Sequence, residues 1–345
     1  QMLLFTQMKP QFNMPRDEKI HDSEVAITLL NMGGPQTAGD IPGFQRRLFS
    51  DPLLIRFPVS WMFQGLFARA LTVVRAKKTA ERYRLIGGGS PIFDSTKKQA
   101  RFLQKELARR GRTLDVTFTF NYSDPLPDQT IHQIRNAGKK YILPVSLYPH
   151  YSRATTGSSV HYLQRSAKKY FSRALFLPAP EYYVHAGYIQ AFKDRILETL
   201  RSTETLDDFY LLFSAHAIPF YLVKEGDPYS FQVEQTVLSI VKALGRKDGW
   251  SLAYQSAMGP IRWTAPSIKD ELMRLAQNHV RKIIVIPVSF VSDHIETLWE
   301  IDIQFRSMAS NLGIHDFRMS KAIECHSGFI TALADTVEQS FGKEV

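Results

Sequence analysis

The sequence is nearly devoid of cysteine: Cys325 is the only one in 345 residues. A single thiol excludes a disulfide framework and any iron–sulfur or zinc site built on several cysteines. An intracellular setting is therefore expected. The first twenty residues lack a positive segment followed by an apolar core, so no secretory signal is expected. Long uninterrupted apolar runs are missing too. The most apolar stretch, Leu53 to Val74, is broken by Arg56, Pro58, Gln64 and Arg69. A bilayer crossing needs about 20 predominantly apolar residues, so this stretch is expected to lie in one membrane surface without crossing it. There is no zinc-finger spacing, RNA-binding signature or long block of like charge, which argues against nucleic acid. Neither a Walker loop nor a dinucleotide fingerprint occurs.

What is present bounds the rest. The length suits two ordinary domains, and a hydrophobic fraction of 44% supports a sizeable core. The net charge of +10 points to an anionic partner. With nucleic acid set aside, that partner is acidic lipid or a carboxylate-bearing small molecule. Aromatics reach 12%, which serves a large flat ligand and an ordinary core equally well.

Apolar, β-branched segments alternate with amphipathic ones. Strands are expected at Glu24–Leu30, Val116–Phe120, Tyr141–Leu147, Phe209–Phe213, Trp250–Tyr254 and Lys282–Phe290. Helices are expected at Trp61–Arg84, Lys97–Arg109, Asp128–Asn136, Ser230–Leu244, Ala265–His279 and His294–Ser310. Such alternation predicts parallel sheets covered by helices. An ordered repeat is also visible. Val25–Pro35 matches Phe209–Pro219, which sets Met32 at the position of His216. Asn121-Tyr122 matches Gln255-Ser256, and Leu143–Leu147 matches Ile286–Phe290. The predicted fold is α/β: two related Rossmann-like halves, each a parallel sheet flanked by helices. Ligands of such sheets sit beyond the carboxyl ends of the strands, so a cleft between the halves is expected. The expected division is an extension over 1–23, a first half over 24–178 carrying an apolar lip at 53–84, and a second half over 179–345. The break falls near Pro178-Ala179-Pro180, and Tyr182–Leu200 is expected to be a bridging helix.

Two constellations carry chemistry. In Ser214-Ala215-His216-Ala217-Ile218-Pro219 a histidine flanked by small residues directly follows a buried strand. It is placed to exchange a proton near neutral pH or to ligate a metal. A histidine satisfied by loop hydrogen bonds accounts for the motif equally well. The second constellation is Val291-Ser292-Asp293-His294-Ile295-Glu296-Thr297-Leu298-Trp299-Glu300. Asp293 and Glu296 have capping-box spacing, which leaves His294 unexplained. On an α-helix Asp293, Glu296 and Glu300 share one face. No lysine or arginine interrupts the segment up to Phe305, so the face suits a divalent cation such as Fe²⁺. Arg75, Lys77 and Lys78, the Gly87-Gly88-Gly89-Ser90 loop, and Tyr151–Ser159 before a helix are candidates for holding anionic groups.

From about Val25 to Phe341 the sequence resembles the ferrochelatases. The resemblance is carried by Leu30-Asn31-Met32-Gly33-Gly34-Pro35, Ile86-Gly87-Gly88-Gly89-Ser90-Pro91-Ile92, Thr155-Thr156-Gly157-Ser158-Ser159, Ser214-Ala215-His216 and Ser292-Asp293-His294-Ile295-Glu296-Thr297-Leu298. It implies insertion of Fe²⁺ into protoporphyrin IX, the terminal step of haem synthesis. Fe²⁺ would then be a substrate, with no permanently bound cofactor. It further implies that His216, Glu296 and His294 are catalytic, and that His216, Glu296, Asp293 and Glu300 handle the metal. Met32, Arg75, Lys78, Ser90, Tyr122, Ser256 and Trp263 would contact the porphyrin. The apolar lip would touch a membrane, which places the protein in the cytoplasm, peripheral at the inner membrane face. Three departures stand out. Asn121 replaces an arginine of many relatives, Gln304 replaces a glutamate of some, and the cysteine cluster of animal forms is absent, so no iron–sulfur centre is expected. Met32 and the apolar lip favour protoporphyrin over coproporphyrin. The competing readings are a sister chelatase acting on coproporphyrin or inserting cobalt, a non-catalytic haem-binding protein, and a nucleotide-dependent oxidoreductase.

Overall fold

The computed structural model describes residues 20–53, 64–259 and 261–341. Most of the expected apolar lip, including Phe63, lies outside this range, as do the side chains of 64–68, 70 and 71. The chain divides into two compact units. The first runs through Glu181 and also takes in the chain from Leu333 onward; the second is Tyr182–Ala332.

The first unit holds a four-stranded parallel sheet in the order β2-β1-β3-β4. The strands are β1 (Val25–Asn31), β2 (Asp115–Phe120), β3 (Tyr141–Ser146) and β4 (Leu175–Phe176). Every residue of β1 is buried, as its uniformly apolar run implies for a strand covered on both faces. The helix Ile92–Arg109 buries Ile92, Ser95, Thr96, Gln99, Ala100, Leu103 and Leu107, the spacing of one helical face. Pro144 sits inside β3, pairing with Thr28 on one side. The short β4 reaches only Tyr141 and Ile142, so the missing proline N–H breaks no ladder.

The second unit repeats this plan as β6-β5-β7-β8. Its strands are β5 (Tyr210–His216), β6 (Trp250–Gln255), β7 (Lys282–Pro287) and β8 (Asp316–Met319), again all parallel. The first two expected repeat matches agree with the pairing. The third is out of register. Thr28 corresponds to Leu212; Thr28 pairs with Pro144 but Leu212 with Val285. Pro144 therefore corresponds to Val285, and the match is shifted by two residues. A two-residue shift keeps each side chain on its face, which is why the apolar pattern alone concealed it.

Two further expectations are corrected. Residues beyond Leu333 do not complete the second half. Arg110, at the end of the helix Ile92–Arg109, bonds Asp335 at 2.5 Å and Glu338 at 2.7 Å, tying them into the first unit. The expected α-helix at His294–Ser310 is mostly π-helical, over Glu296–Phe305, and becomes α-helical at Arg306–Asn311. No helix among the described residues is long and apolar enough to cross a membrane.

Candidate active site

In the second unit, three strand ends converge on one cluster of side chains. β5 ends at His216, Ser256 follows β6 directly, and the loop after β7 leads to His294 and Glu296. The π-helix Glu296–Phe305 buries Thr297, Ile301 and Phe305. Ile301 and Phe305 join the core around Leu212, Leu272 and Val285. Burying every fourth residue leaves Glu296 and Glu300, also four apart, side by side on the adjoining face. Wide i→i+5 turns of this type concentrate at functional sites.

His216 is fixed on both sides of its backbone. Its amide donates to the Ser289 hydroxyl at 2.9 Å, and its carbonyl accepts from the Tyr229 hydroxyl at 2.9 Å. Nδ1 lies 2.6 Å from the Ala217 carbonyl, which assigns it the proton and directs Nε2 outward. Nε2 is 3.4 Å from Oε1 of Glu296. The other oxygen of Glu296 is 3.5 Å from Nε2 of His294, so one carboxylate bridges two imidazoles. Burial lowers the His216 pKa. The Glu296 charge and hydrogen bond, the Ala217 carbonyl and Glu300 outweigh it and push His216 up to about 9. Burial likewise opposes ionisation of Glu296, but the two histidines hold it down to about 2. His294 is only 7% exposed, and burial holds its pKa below the usual value despite its acidic neighbours. The Phe290 ring packs edge-on against it at 4.5 Å. Among the described residues its Nδ1 has no hydrogen-bond partner. The resting arrangement is thus an imidazolium, a carboxylate and a neutral imidazole.

Asp293 does not cap the helix, contrary to expectation. The π-helix starts at Glu296 without a side-chain cap. Asp293 instead accepts from the Thr297 hydroxyl at 2.8 Å, and its amide donates to Glu324 at 3.0 Å. Burial raises its pKa. Burial also raises that of Glu300, against the hydrogen bond from Ser256. Among the described residues, no three His, Cys, Asp or Glu side chains stand close enough together to hold a metal ion as they are.

Several supporting residues were not anticipated. The amide of Gln255 donates to the Glu296 carbonyl at 2.9 Å and to Glu300 at 3.3 Å, while its oxygen accepts from the buried Ser214 hydroxyl. Its position just before Ser256, at the end of a predicted strand, was the available signal. Trp263 donates its indole N–H to the Met258 carbonyl at 2.9 Å and bridges to Pro219, which places it on the turn that leaves His216.

The remaining candidates belong to the first unit. Met32 follows β1, its amide bonded to the Asn31 side chain at 2.8 Å. Ser90 donates its amide to the Pro35 carbonyl at 2.8 Å, so the two glycine-rich turns lie against each other. A Cβ on Gly89 would stand 2.0 Å from the Gln36 carbonyl oxygen, and one on Gly34 would stand 2.6 Å from Ser90. Close backbone approach, before any anion, accounts for these glycines. Arg75 lies over the Phe49 ring at 5.9 Å, and Lys78 is exposed. Tyr122 is buried, its hydroxyl donating to Asp51 at 2.5 Å. Asp51, which sequence reasoning missed, is 4% exposed and also accepts from Tyr162 at 2.7 Å and Ser158 at 3.4 Å. Ser158 and Ser159, expected among anion-binding hydroxyls, are buried.

Comparison with known proteins agrees with this arrangement. A profile of the ferrochelatase family matches residues 24–341. The ferrochelatase of Gloeobacter violaceus is 40% identical over 327 residues, covering 93% of this chain and 98% of the relative. That of Synechococcus elongatus is 39% identical over 319 residues, covering 92% and 82%. Among solved structures, SirB from Bacillus subtilis with Fe³⁺ aligns over 92% of this chain and 96% of its own, with TM-score 0.54 and 12% identity. A multi-domain Deinococcus radiodurans protein described as similar to chelatases aligns over 94% of this chain and 56% of its own, with TM-score 0.51 and 9% identity. These structural likenesses show the two-domain α/β fold, and the sequence relatives show the lineage: the chain belongs to the ferrochelatase family.

Proposed function

We propose that this protein inserts Fe²⁺ into protoporphyrin IX to form protohaem, acting as a lyase that forms metal–nitrogen bonds. The observation that carries the reading is the single Glu296 carboxylate held between His216 and His294. Metallation releases two pyrrole protons, so a base must stand where the metal enters. His216 is that base. In the resting protein its proton is held by Glu296, and a cation reaching Glu296 competes with that proton for the same carboxylate. His294, neutral and fixed beside Phe290, orients Glu296. Asp293 and Glu300 are the further acidic groups along the metal's route.

Met32, Arg75, Lys78, Ser90, Tyr122, Ser256 and Trp263 are assigned to the porphyrin. Tyr122 acts through Asp51 and the turn after β2 and does not present its hydroxyl to the ligand. Fe²⁺ is a substrate, no cofactor is resident, and the lone Cys325 supports no iron–sulfur centre. The helix Gln64–Leu85 turns Val73 and Val74, each 78% exposed, to the same side as exposed Lys77 and Lys78. Apolar side chains next to cations suit the surface of an anionic membrane. This supports a cytoplasmic protein, peripheral at the inner membrane face.

The test is loss of protoporphyrin fluorescence on adding Fe²⁺, or Zn²⁺ as a stand-in. Wild type should be active, and His216→Ala and Glu296→Ala should each be slower by about a hundredfold or more. Wild-type rates in both variants would overturn the assignment. Faster turnover of coproporphyrin than of protoporphyrin by wild type would overturn the choice of substrate.

A further inference from the structure

Gln255 and Ser256 form a cradle for a carboxylate at the end of β6. Three donors meet the side chain of Glu300. The Ser256 amide reaches Oε1 at 3.0 Å, the Ser256 hydroxyl reaches Oε2 at 2.5 Å, and the Gln255 amide reaches Oε2 at 3.3 Å. The cradle is stiff. Ser256 has a φ of +65°, in the left-handed region disfavoured for residues with a Cβ, and this turns its amide and hydroxyl to one point. Gln255 is buried, its oxygen held by the Ser214 hydroxyl and its amide also bonded to the Glu296 carbonyl. The occupant, by contrast, is the tip of a long side chain. A donor set built for a carboxylate is thus filled by the protein's own, on the face that carries Glu296.

We propose that this cradle is a subsite for a carboxylate of the substrate, and that Glu300 fills it in the free protein as an internal stand-in. Substrate binding then exchanges one carboxylate for another and releases the Glu300 side chain. This rests on the reading of the substrate as a porphyrin with propionates. The exchange conserves all three hydrogen bonds, so no buried donor is left unpaired. Glu300 becomes free to meet a cation only once the porphyrin is seated, which orders the two substrates.

The experiment is a fluorescence titration without metal. Protoporphyrin IX and its dimethyl ester are added to wild type, Glu300→Ala, Glu300→Gln, Ser256→Ala and the Glu300→Ala/Ser256→Ala double variant. Glu300→Ala should tighten binding of the free acid by about three- to tenfold, the effect of roughly one net hydrogen bond. Glu300→Gln should fall between it and wild type. The ester should bind all forms alike, and Ser256→Ala should abolish the gain given by Glu300→Ala. An unchanged or weakened free acid, a gain shared by the ester, or a gain that survives Ser256→Ala would overturn the proposal. The last two results would mean that Glu300 acts by bulk or by charge alone. If wild type binds neither compound, the porphyrin reading itself fails, and this proposal with it.

Discussion

Nε2 of His216 lies 3.4 Å from Oε1 of Glu296, and each group holds the other in its charged form. His216 titrates near 9 and Glu296 near 2, against ordinary values of 6.5 and 4.5. The raised histidine contributes stability that is complete below pH 6.5 and lost as pH rises through about 9. The lowered carboxylate contributes stability that is complete above pH 4.5 and lost as pH falls through about 2. The difference in melting temperature between wild type and Glu296→Gln should therefore be largest between pH 4.5 and 6.5 and should shrink on both sides. In the variant, burial acts on His216 with less opposition, so its NMR titration midpoint should drop well below 9. A midpoint that stays near 9 would show that the carboxylate is not the cause.

Replacement of Gln255 by leucine should disturb both the site and the fold. It strands the buried Ser214 hydroxyl and releases the Glu296 carbonyl. The expected cost is about 2 kcal/mol in urea unfolding. Chelation should slow even at temperatures where the variant is fully folded, because the start of the π-helix is no longer held. Full activity in a folded Gln255→Leu protein would remove Gln255 from the support of the site.

Much of this architecture could be read in the residues themselves. β1 and β5 are apolar on both faces and end in turns of small residues and proline, a combination few other structures tolerate. His216 stood out for the same reason, being a polar residue at the end of a buried strand. The π-helix was not legible. Its four-residue spacing of Thr297, Ile301 and Phe305 also satisfies an α-helical pattern. The register of Pro144 and Pro287 was hidden because strand pairing depends on the lengths of the connections and not on the strand's own residues. Asp51 and Gln255 escaped notice because their roles lie in partners far away in sequence, such as Tyr122 and Tyr162 for Asp51.

Gly89→Ala should destabilise the first unit more than Gly87→Ala. A Cβ at 89 meets the Gln36 carbonyl at 2.0 Å, whereas one at 87 meets nothing within 4 Å and is opposed only by a φ of +105°. Overpacking against backbone costs about 1–3 kcal/mol or more, and the strained φ about 1 kcal/mol. Denaturant midpoints of the two variants check the order; the reverse order would mean that the two turns are not in contact.

Asp51→Ala should cost about 2–3 kcal/mol, since the buried Tyr122 hydroxyl and the Tyr162 hydroxyl lose their acceptor. Asp51→Asn, which keeps an acceptor oxygen, should recover part of that loss. Equal stability of the two variants in urea would show that the hydroxyls find other partners.

Val73→Ser combined with Val74→Ser should weaken co-sedimentation with vesicles containing anionic lipid and leave thermal stability within about 0.5 kcal/mol, as expected for exposed positions. Lys77→Glu with Lys78→Glu should weaken it further and remove its dependence on salt. Unchanged co-sedimentation in both would detach this helix from any membrane role.

The bonds from Arg110 to Asp335 and Glu338 carry a consequence for biogenesis. A sheet assembled from residues 25 to 176 receives its closing ion pairs from residues more than 150 positions further along. During synthesis the earlier unit must wait, with that edge bare, until nearly the whole polypeptide has left the ribosome. A nonsense mutation that removes only the last dozen residues would therefore weaken the part of the protein that was made first.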